Sequence, residues 1–299
     1  MNKIINKLLL ATLAWGVSMA SLADDALLKP FVLASKGPGT VADKVAAAKA
    51  ALQANGFTVV GSYSPYPETT IVAVTNDEMK TTAAKSEHGG FGAAQRVAVT
   101  KVNDEVQVSY TNPTYMANGY RMEGDLPQTA AKMQAALGKV EDFGAAGLSA
   151  SKLRKYHYAF GMEYFDEPVP LADYGSYEEA VKAVEANLAA GKGGVTKVYR
   201  VDIPGKKETV FGVGMKGGDK YMDDKYIMSV IDSKDIKSAA HLPYEMLVTG
   251  NHVIALYARF RIALDFPDLK MMGANSFMKI MESPEAIRKA LAVAAGGKE

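Results

Sequence analysis

Arg96–Arg121, RVAVTKVNDEVQVSYTNPTYMANGYR, is the stretch that decides the fold. Val106, Val108 and Tyr110 alternate with Glu105, Gln107 and Ser109, the period-two signature of a half-buried strand. Val97 and Val99 supply the same face of a preceding strand, and Asn103-Asp104 is a tight-turn dipeptide between the two. Pairing across that turn sets Val99 opposite Val108 and Val97 opposite Tyr110. Asn112-Pro113 then ends the second strand, because proline has no N–H for the ladder and restrains the residue before it.

A diverged copy stands at Glu245–Leu269, EMLVTGNHVIALYARFRIALDFPDL. Gly250-Asn251 takes the turn, Met246 and Val248 the incoming strand, and Val253, Ala255 and Tyr257 the return. The echo makes the chain a tandem duplication. The copies differ on one face. Gln107 and Ser109, read as solvent-facing, give way to Ile254 and Leu256, with Leu247 where Ala98 stood. A strand apolar on both faces is covered on both. Leu247, Ile254 and Leu256 are therefore expected to form an interface with the other repeat, a partner or a ligand. Packing within the chain is favoured, since core burial explains most apolar faces.

The chain opens with Lys3 and Lys7, an apolar run over Leu8–Met19, and Ser21-Leu22-Ala23 ahead of Asp24-Asp25. A basic start, a short apolar stretch and small residues before an acidic pair read as a secretory signal peptide over 1–23, too short for a comfortable membrane span. The expectation is an exported, periplasmic protein with no transmembrane span after cleavage. The leader holds two lysines and no acid, so its removal takes the formal charge from +1 to −1. A near-neutral surface argues against nucleic acid, which needs a basic footprint. The chain has no cysteine, which rules out disulfides, thiolate catalysis and Cys-ligated zinc.

The rest of the chain repeats one grammar. In the first half a strand at Phe31–Ala34 precedes a capped amphipathic helix from Thr40 to Asn55-Gly56. Strands at Phe57–Tyr63 and Thr69–Thr75 follow, then a Gly-rich loop through His88, the hairpin, and a helix from Pro127 to Leu137-Gly138. In the second, Tyr156–Phe165 reads as a strand and Ser176–Glu179 as a capping box. Val195–Ile203, Glu208–Met215 and Tyr226–Ile231 read as strands before the second hairpin, and a helix opens at Ser283-Pro284-Glu285. The expected fold class is α+β: two tandem β-α-β(4)-α units, each a curved antiparallel sheet packed by helices. The expected boundaries are a first repeat over 24–138, a linker over 139–154 and a second repeat over 155–299.

Gly56-Phe57 after the helix, and Arg96-Val97-Ala98-Val99 leading to Val108-Ser109-Tyr110-Thr111-Asn112-Pro113-Thr114-Tyr115, resemble the domain-of-unknown-function family numbered 302. The second half retains His241-Leu242-Pro243 before its strand but has Ala258-Arg259 in place of Asn-Pro. The likeness covers most of the first repeat and less of the second. It implies a TATA-binding-protein-like fold, a curved antiparallel sheet gripped by helices, and no particular activity.

Candidate chemistry is sparse. Gly212-Val213-Gly214-Met215-Lys216-Gly217 matches G-x-G-x-x-G but reads as a glycine-rich turn between strands. No two histidines have zinc-ligand spacing, and His157 reads as a sheet residue. Met278 and Met281, beside Met271 and Met272, are weak candidates for soft-metal binding, with His88 the one exposed imidazole to join them. Methionine at helical spacing is also ordinary core filler. Arg96, Tyr110, Asn112, Tyr115, Tyr257 and Arg259 are the candidate ligand-binding residues, as aromatic walls with few polar groups suit a cleft. Their structural alternative is cross-strand packing with ion pairs at the rim.

The reading is an exported, non-catalytic binding or interaction protein. It needs no cofactor, takes a small apolar ligand or a periplasmic protein, and has its repeats packed as an intrachain pseudo-dimer. The alternatives are an enzyme using Arg96 and the Asn112–Tyr115 turn, and copper binding through methionine.

Overall fold

The computed structural model describes residues 26–297. The signal peptide expected over 1–23 lies outside the described residues. In chain order the elements are β1 (Phe31–Gly37), α1 (Val41–Ala54), β2 (Thr58–Tyr63), β3 (Thr69–Thr75), α2 (Asp77–Lys85), β4 (Gln95–Val102), β5 (Glu105–Thr111), α3 (Pro113–Gly119), α4 (Pro127–Leu137), β6 (Glu141–Phe143) and α5 (Ala150–Arg154). They continue with β7 (Val169–Asp173), α6 (Tyr177–Ala189), β8 (Val195–Asp202), β9 (Glu208–Met215), α7 (Asp224–Ile231), β10 (Tyr244–Thr249), β11 (His252–Ala255), α8 (Ala258–Asp265) and α9 (Ser283–Ala295). Short 3₁₀ turns at Gly89–Gly92 and Ala239–His241 lead into β4 and β10, and another spans Phe277–Ile280. The protein is α+β, two antiparallel sheets packed by helices.

The two halves share one strand order. The first sheet runs β2-β3-β4-β5-β1-β6 and the second β8-β9-β10-β11-β7, the same sequence of neighbours apart from the added β6. In the first hairpin Val99 lies opposite Val108 and Val97 opposite Tyr110 across Asn103-Asp104; in the second, Val248 lies opposite Val253 across Gly250-Asn251. Side-chain caps start the helices where short polar residues stand ready. Thr40 accepts from the Asp43 N–H, Ser176 from that of Glu179, and Asn112 from those of Thr114 and Tyr115, with Pro113 in the first turn.

Several segments fold otherwise than their pattern reads. Tyr226–Ile231 is α7 rather than a strand: Asp223 caps it through the Tyr226 N–H, and Ile227, Met228 and Ile231 share its buried face. The polar stretch before His88 holds α2, capped by Asn76 on the Met79 N–H. Each unit is thus β-α-β-β-α-β-β followed by helix. Tyr156–Phe165 is no strand, and β7 takes that place. Gly161 turns the segment with φ +78°, His157 Nε2 lies 3.0 Å from the Met162 carbonyl, and the His157 ring stacks on Tyr164. The span 139–154 is no bare linker either, since β6 pairs with β1 and α5 packs on α3. In G-x-G-x-x-G, Gly212 and Gly214 lie inside β9, where a Cβ would strike the rings of Tyr199 and Tyr63.

Each sheet has two covered faces. Val97, Val99, Val106, Val108 and Tyr110 face α1 and α4 in the first unit, as Met246, Val248, Val253 and Ala255 face α6 and α9 in the second. The opposite faces are buried by the other half, reciprocally. The 3₁₀ turn at Gly89–Gly92 sits on β9 and β10, where the Gly90 N–H donates to Glu208 Oε1 at 2.6 Å. Ala239–His241 sits on β3, β4 and β5, where the Ala240 carbonyl accepts from Arg96 Nε at 2.8 Å. Leu247, Ile254 and Leu256 are buried in a core shared with first-half residues. The ladders shift the expected equivalence by two residues: Ile254 pairs with Leu247 as Ser109 pairs with Ala98, so Ile254 stands where Ser109 does and Leu256 where Thr111 does, rather than at Gln107 and Ser109. Gln107 and Ser109 are buried as well, not wet. Gln107 Nε2 donates to the Asp235 carbonyl, its Oε1 accepts from the Lys237 N–H, and Ser109 Oγ donates to the Lys237 carbonyl. Polar groups survive there because a backbone loop, not side chains, covers them.

Candidate functional site

Two places gather side chains with chemistry, and they differ in access. The first lies between the halves. Arg96, near the start of β4, reaches across to Glu245 near the start of β10, Nη1 to Oε1 at 2.7 Å. Tyr199 Oη donates to the same oxygen at 2.9 Å. From α8, Arg261 brings Nε to 3.4 Å from Glu245 Oε2, donates from Nη2 to the carbonyls of His241 and Pro243, and lays its guanidinium 4.6 Å from the Tyr244 ring centre. Asp265 Oδ2 lies 2.6 Å from His241 Nδ1 and 3.9 Å from Arg96 Nη2. Each charged or imidazole side chain here is no more than 2% exposed.

Burial pushes the Asp265 carboxyl up, but the His241 bond and the two guanidinium groups outweigh it and hold the group below its usual range. Burial lowers His241, so the ring is neutral near pH 7 and donates its Nδ1–H to Asp265. Two guanidinium and two carboxylate charges then cancel. The set contains an Asp–His–Tyr line, since His241 Nε2 lies 3.4 Å from Tyr244 Oη, yet no member meets solvent. Its chemistry is structural: a neutral ionic cluster holding one half against the other. The group is not saturated. Tyr120 Oη, Glu245 Oε2, Arg261 Nε and Nη1, and Asp265 Oδ1 are buried without a hydrogen-bond partner.

The other candidate residues of the first half are likewise structural. Asn112 caps α3 and donates from Nδ2 to the Lys29 carbonyl. Tyr115 Oη donates to the Leu264 carbonyl at 2.6 Å, and Tyr110 Oη to that of Gly138. These positions do not assemble a cleft with Arg96. His88 is part-buried, with Nδ1 unpartnered and its ring against Phe165, so it is not the exposed imidazole that its loop implied.

The second place is open. A cavity of about 520 Å³ lies on α8, between the turns at 158–162 and the segment 269–277. Ile262, Ala263 and Phe266 supply its floor, Tyr158, Phe160 and Met162 one wall, and Leu269, Met271 and Phe277 the other. Arg259 is the one charged residue in the lining; it pairs with Glu163 and lies beside the Tyr257 ring. Tyr158 Oη lies 3.4 Å from both the Leu269 carbonyl and Met271 Sδ. This size, with apolar walls and a few convergent polar groups, matches sites that take small molecules. Of the sequence candidates for ligand binding, Arg259 lines this cavity; Met271, expected as a soft-metal candidate, lines it too, and Tyr257 lies beside Arg259 without lining it. The wall at 158–162 lay inside the segment expected as a strand, and the wall at 269–277 carries Met271, expected only as a soft-metal candidate; neither is a regular element, so no periodicity marked them as walls of a cavity.

Among the described residues no helix is long and apolar enough to cross a membrane, and no group of His, Cys, Asp or Glu has metal-site geometry. Fold and site together define a two-sheet α+β protein, tied by a solvent-excluded ionic cluster and bearing an open apolar pocket. No family model, curated protein or solved structure matches the chain.

Proposed function

We propose that the protein is an exported, periplasmic, non-catalytic binding protein that takes a small apolar ligand in the pocket on α8. The observation that carries this reading is the pocket: a roomy apolar cavity with a single guanidinium at its edge. Its walls bury a hydrophobic body, and Arg259 with the Tyr158 hydroxyl orients one polar end. Export rests on the basic, apolar, small-residue pattern of 1–23. Descent from one duplicated unit, akin to the domain-of-unknown-function family numbered 302, belongs to the same proposal. It is supported by the matching strand order and by the hairpin motif.

The test is titration of the purified protein with N-phenyl-1-naphthylamine, a neutral apolar probe. One saturable site is expected, closed by Met162→Trp with the circular dichroism spectrum unchanged. Absence of saturable binding, or binding indifferent to that substitution, refutes the reading.

A further inference from the structure

Methionine belongs inside proteins more often than out. Here Met271, Met272, Met278 and Met281 are 47%, 77%, 49% and 55% exposed, all within eleven residues near the C-terminus. The segment that carries them is pinned. Lys270 and Ser276 form a parallel bridge, the Phe277 N–H donates to the Lys270 carbonyl, and the Met278 N–H donates to that of Met271 at 3.1 Å. Ser276 Oγ donates to the Gly273 carbonyl, Tyr226 Oη to that of Lys279, and Ile280 is fully buried beneath. Met271 also lines the apolar pocket, but burial within the chain does not explain the remaining thioethers held open on a fixed platform.

The backbone places three of them together. The bond from Met278 to Met271 sets these two side by side on adjacent strands of chain. Phe277–Ile280 is a 3₁₀ turn continued by Met281, and in that geometry residues three apart eclipse, so Met278 and Met281 share a face. Tyr158 Oη, 3.4 Å from Met271 Sδ, fixes that sulfur. Thioether is a soft, neutral donor: it selects Cu(I) over cations that prefer imidazole, carboxylate or water. We propose that Met271, Met278 and Met281 form a three-thioether site for Cu(I). The ion is bound without change of oxidation state, and no protein group gains or loses a proton.

The experiment is an anaerobic titration of the full chain carrying [ε-¹³C]methionine, first with Cu(I) delivered from a bicinchoninate complex and then with Ag(I), its redox-inert analogue. One ion per chain is expected, with the ε-methyl signals of Met271, Met278 and Met281 shifting and that of Met272 unmoved; Zn(II) leaves all four in place. Met278→Leu with Met281→Leu abolishes stoichiometric uptake. Both positions are exposed, so the fold persists by circular dichroism, and Met271→Leu alone weakens uptake as a second check. No uptake by the native chain, uptake retained in the double variant, or shifts confined to other methionines overturns the proposal. Met271 is shared with the apolar pocket, but neither Met278 nor Met281 lines it. The double variant therefore still binds N-phenyl-1-naphthylamine, and failure of either site leaves the other standing.

Discussion

Replacing Arg96 by methionine tests what holds the two halves together. The buried cluster is neutral as built, with Arg96 and Arg261 against Glu245 and Asp265 and His241 uncharged. Arg96→Met leaves one net negative charge in a site closed to water and removes the bonds to Glu245 and the Ala240 carbonyl. Breaking one partner of a buried pair costs about 3–5 kcal/mol, because the other charge stays desolvated and unpaired. At about 2–4 °C per kcal/mol for a protein near this size, the melting temperature should fall on the order of 6–20 °C. Removing both partners, Arg96→Met with Glu245→Met, restores neutrality and leaves Arg261 with Asp265. The double variant should therefore be more stable than Arg96→Met alone. The assay is urea unfolding followed by far-ultraviolet circular dichroism and tyrosine fluorescence, read as a double-mutant cycle. A loss below about 1 kcal/mol for Arg96→Met, or strictly additive losses in the double variant, refutes the charge argument. The same variants address the catalytic alternative: a structural Arg96 shows itself as lost stability, not as lost turnover in a folded protein.

Three further perturbations follow from particular contacts. Asn112→Ala removes the cap of α3 and the bond to the Lys29 carbonyl, and should cost about 0.5–2 kcal/mol in the same unfolding assay. Gly90→Ala drives a methyl into Leu247 Cδ1 and to 3.0 Å from Glu208 Oε1, a loss of about 1–3 kcal/mol; the double variant with Leu247→Ala should lose less than the sum of the two single losses. Burial raises Asp224 to about 7, against the bonds it accepts from the Met215 N–H and Tyr63 Oη. Its folded value lies above the unfolded one, so stability present below pH 4 is lost as pH rises toward 7, by up to about 4 kcal/mol. Asp224→Asn should flatten that slope, and a pH-independent difference between variant and native chain counts against the assignment.

What the sequence displayed and what it hid divide along physical lines. The hairpins were legible because period-two alternation and Asn-Asp or Gly-Asn turns are local, and the caps at Thr40 and Ser176 were legible for the same reason. Tyr226–Ile231 misled because YIMSVI is a short apolar run that suits a buried strand as well as a helix; the deciding signal was the cap at Asp223, one residue ahead of α7. Tyr156–Phe165 misled because its alternating aromatics serve a local stack and an aromatic cluster, Phe165 against Phe91, Tyr120 and Phe260, rather than a ladder. Arg96 stood out, but its partner Glu245 is 149 positions away, and no local pattern reports such a pair.

One signal for that pair was nonetheless present. RVAVT in the first hairpin and EMLVT in the second align with Arg96 on Glu245, opposite charges at one repeat position, and the fold brings those two positions into contact. A second such meeting lies in the helices. Counted from the caps Asn112 and Tyr257, Gly119 and Leu264 are each seven residues on, and a Cβ on Gly119 would stand 2.9 Å from Leu264. Where equivalent positions touch, the halves meet as a two-fold pair would. Two identical units would set arginine on arginine, or leucine on leucine, in that space. Joining the units in one chain frees each position to take its complement, charge against charge and small against large. The same freedom explains the outer faces: Gln107 and Ser109 bond a loop backbone on one side while Leu247, Ile254 and Leu256 fill a core on the other. The asymmetry between the halves is thus what the proposed duplication would gain at an interface whose two sides no longer have to be the same.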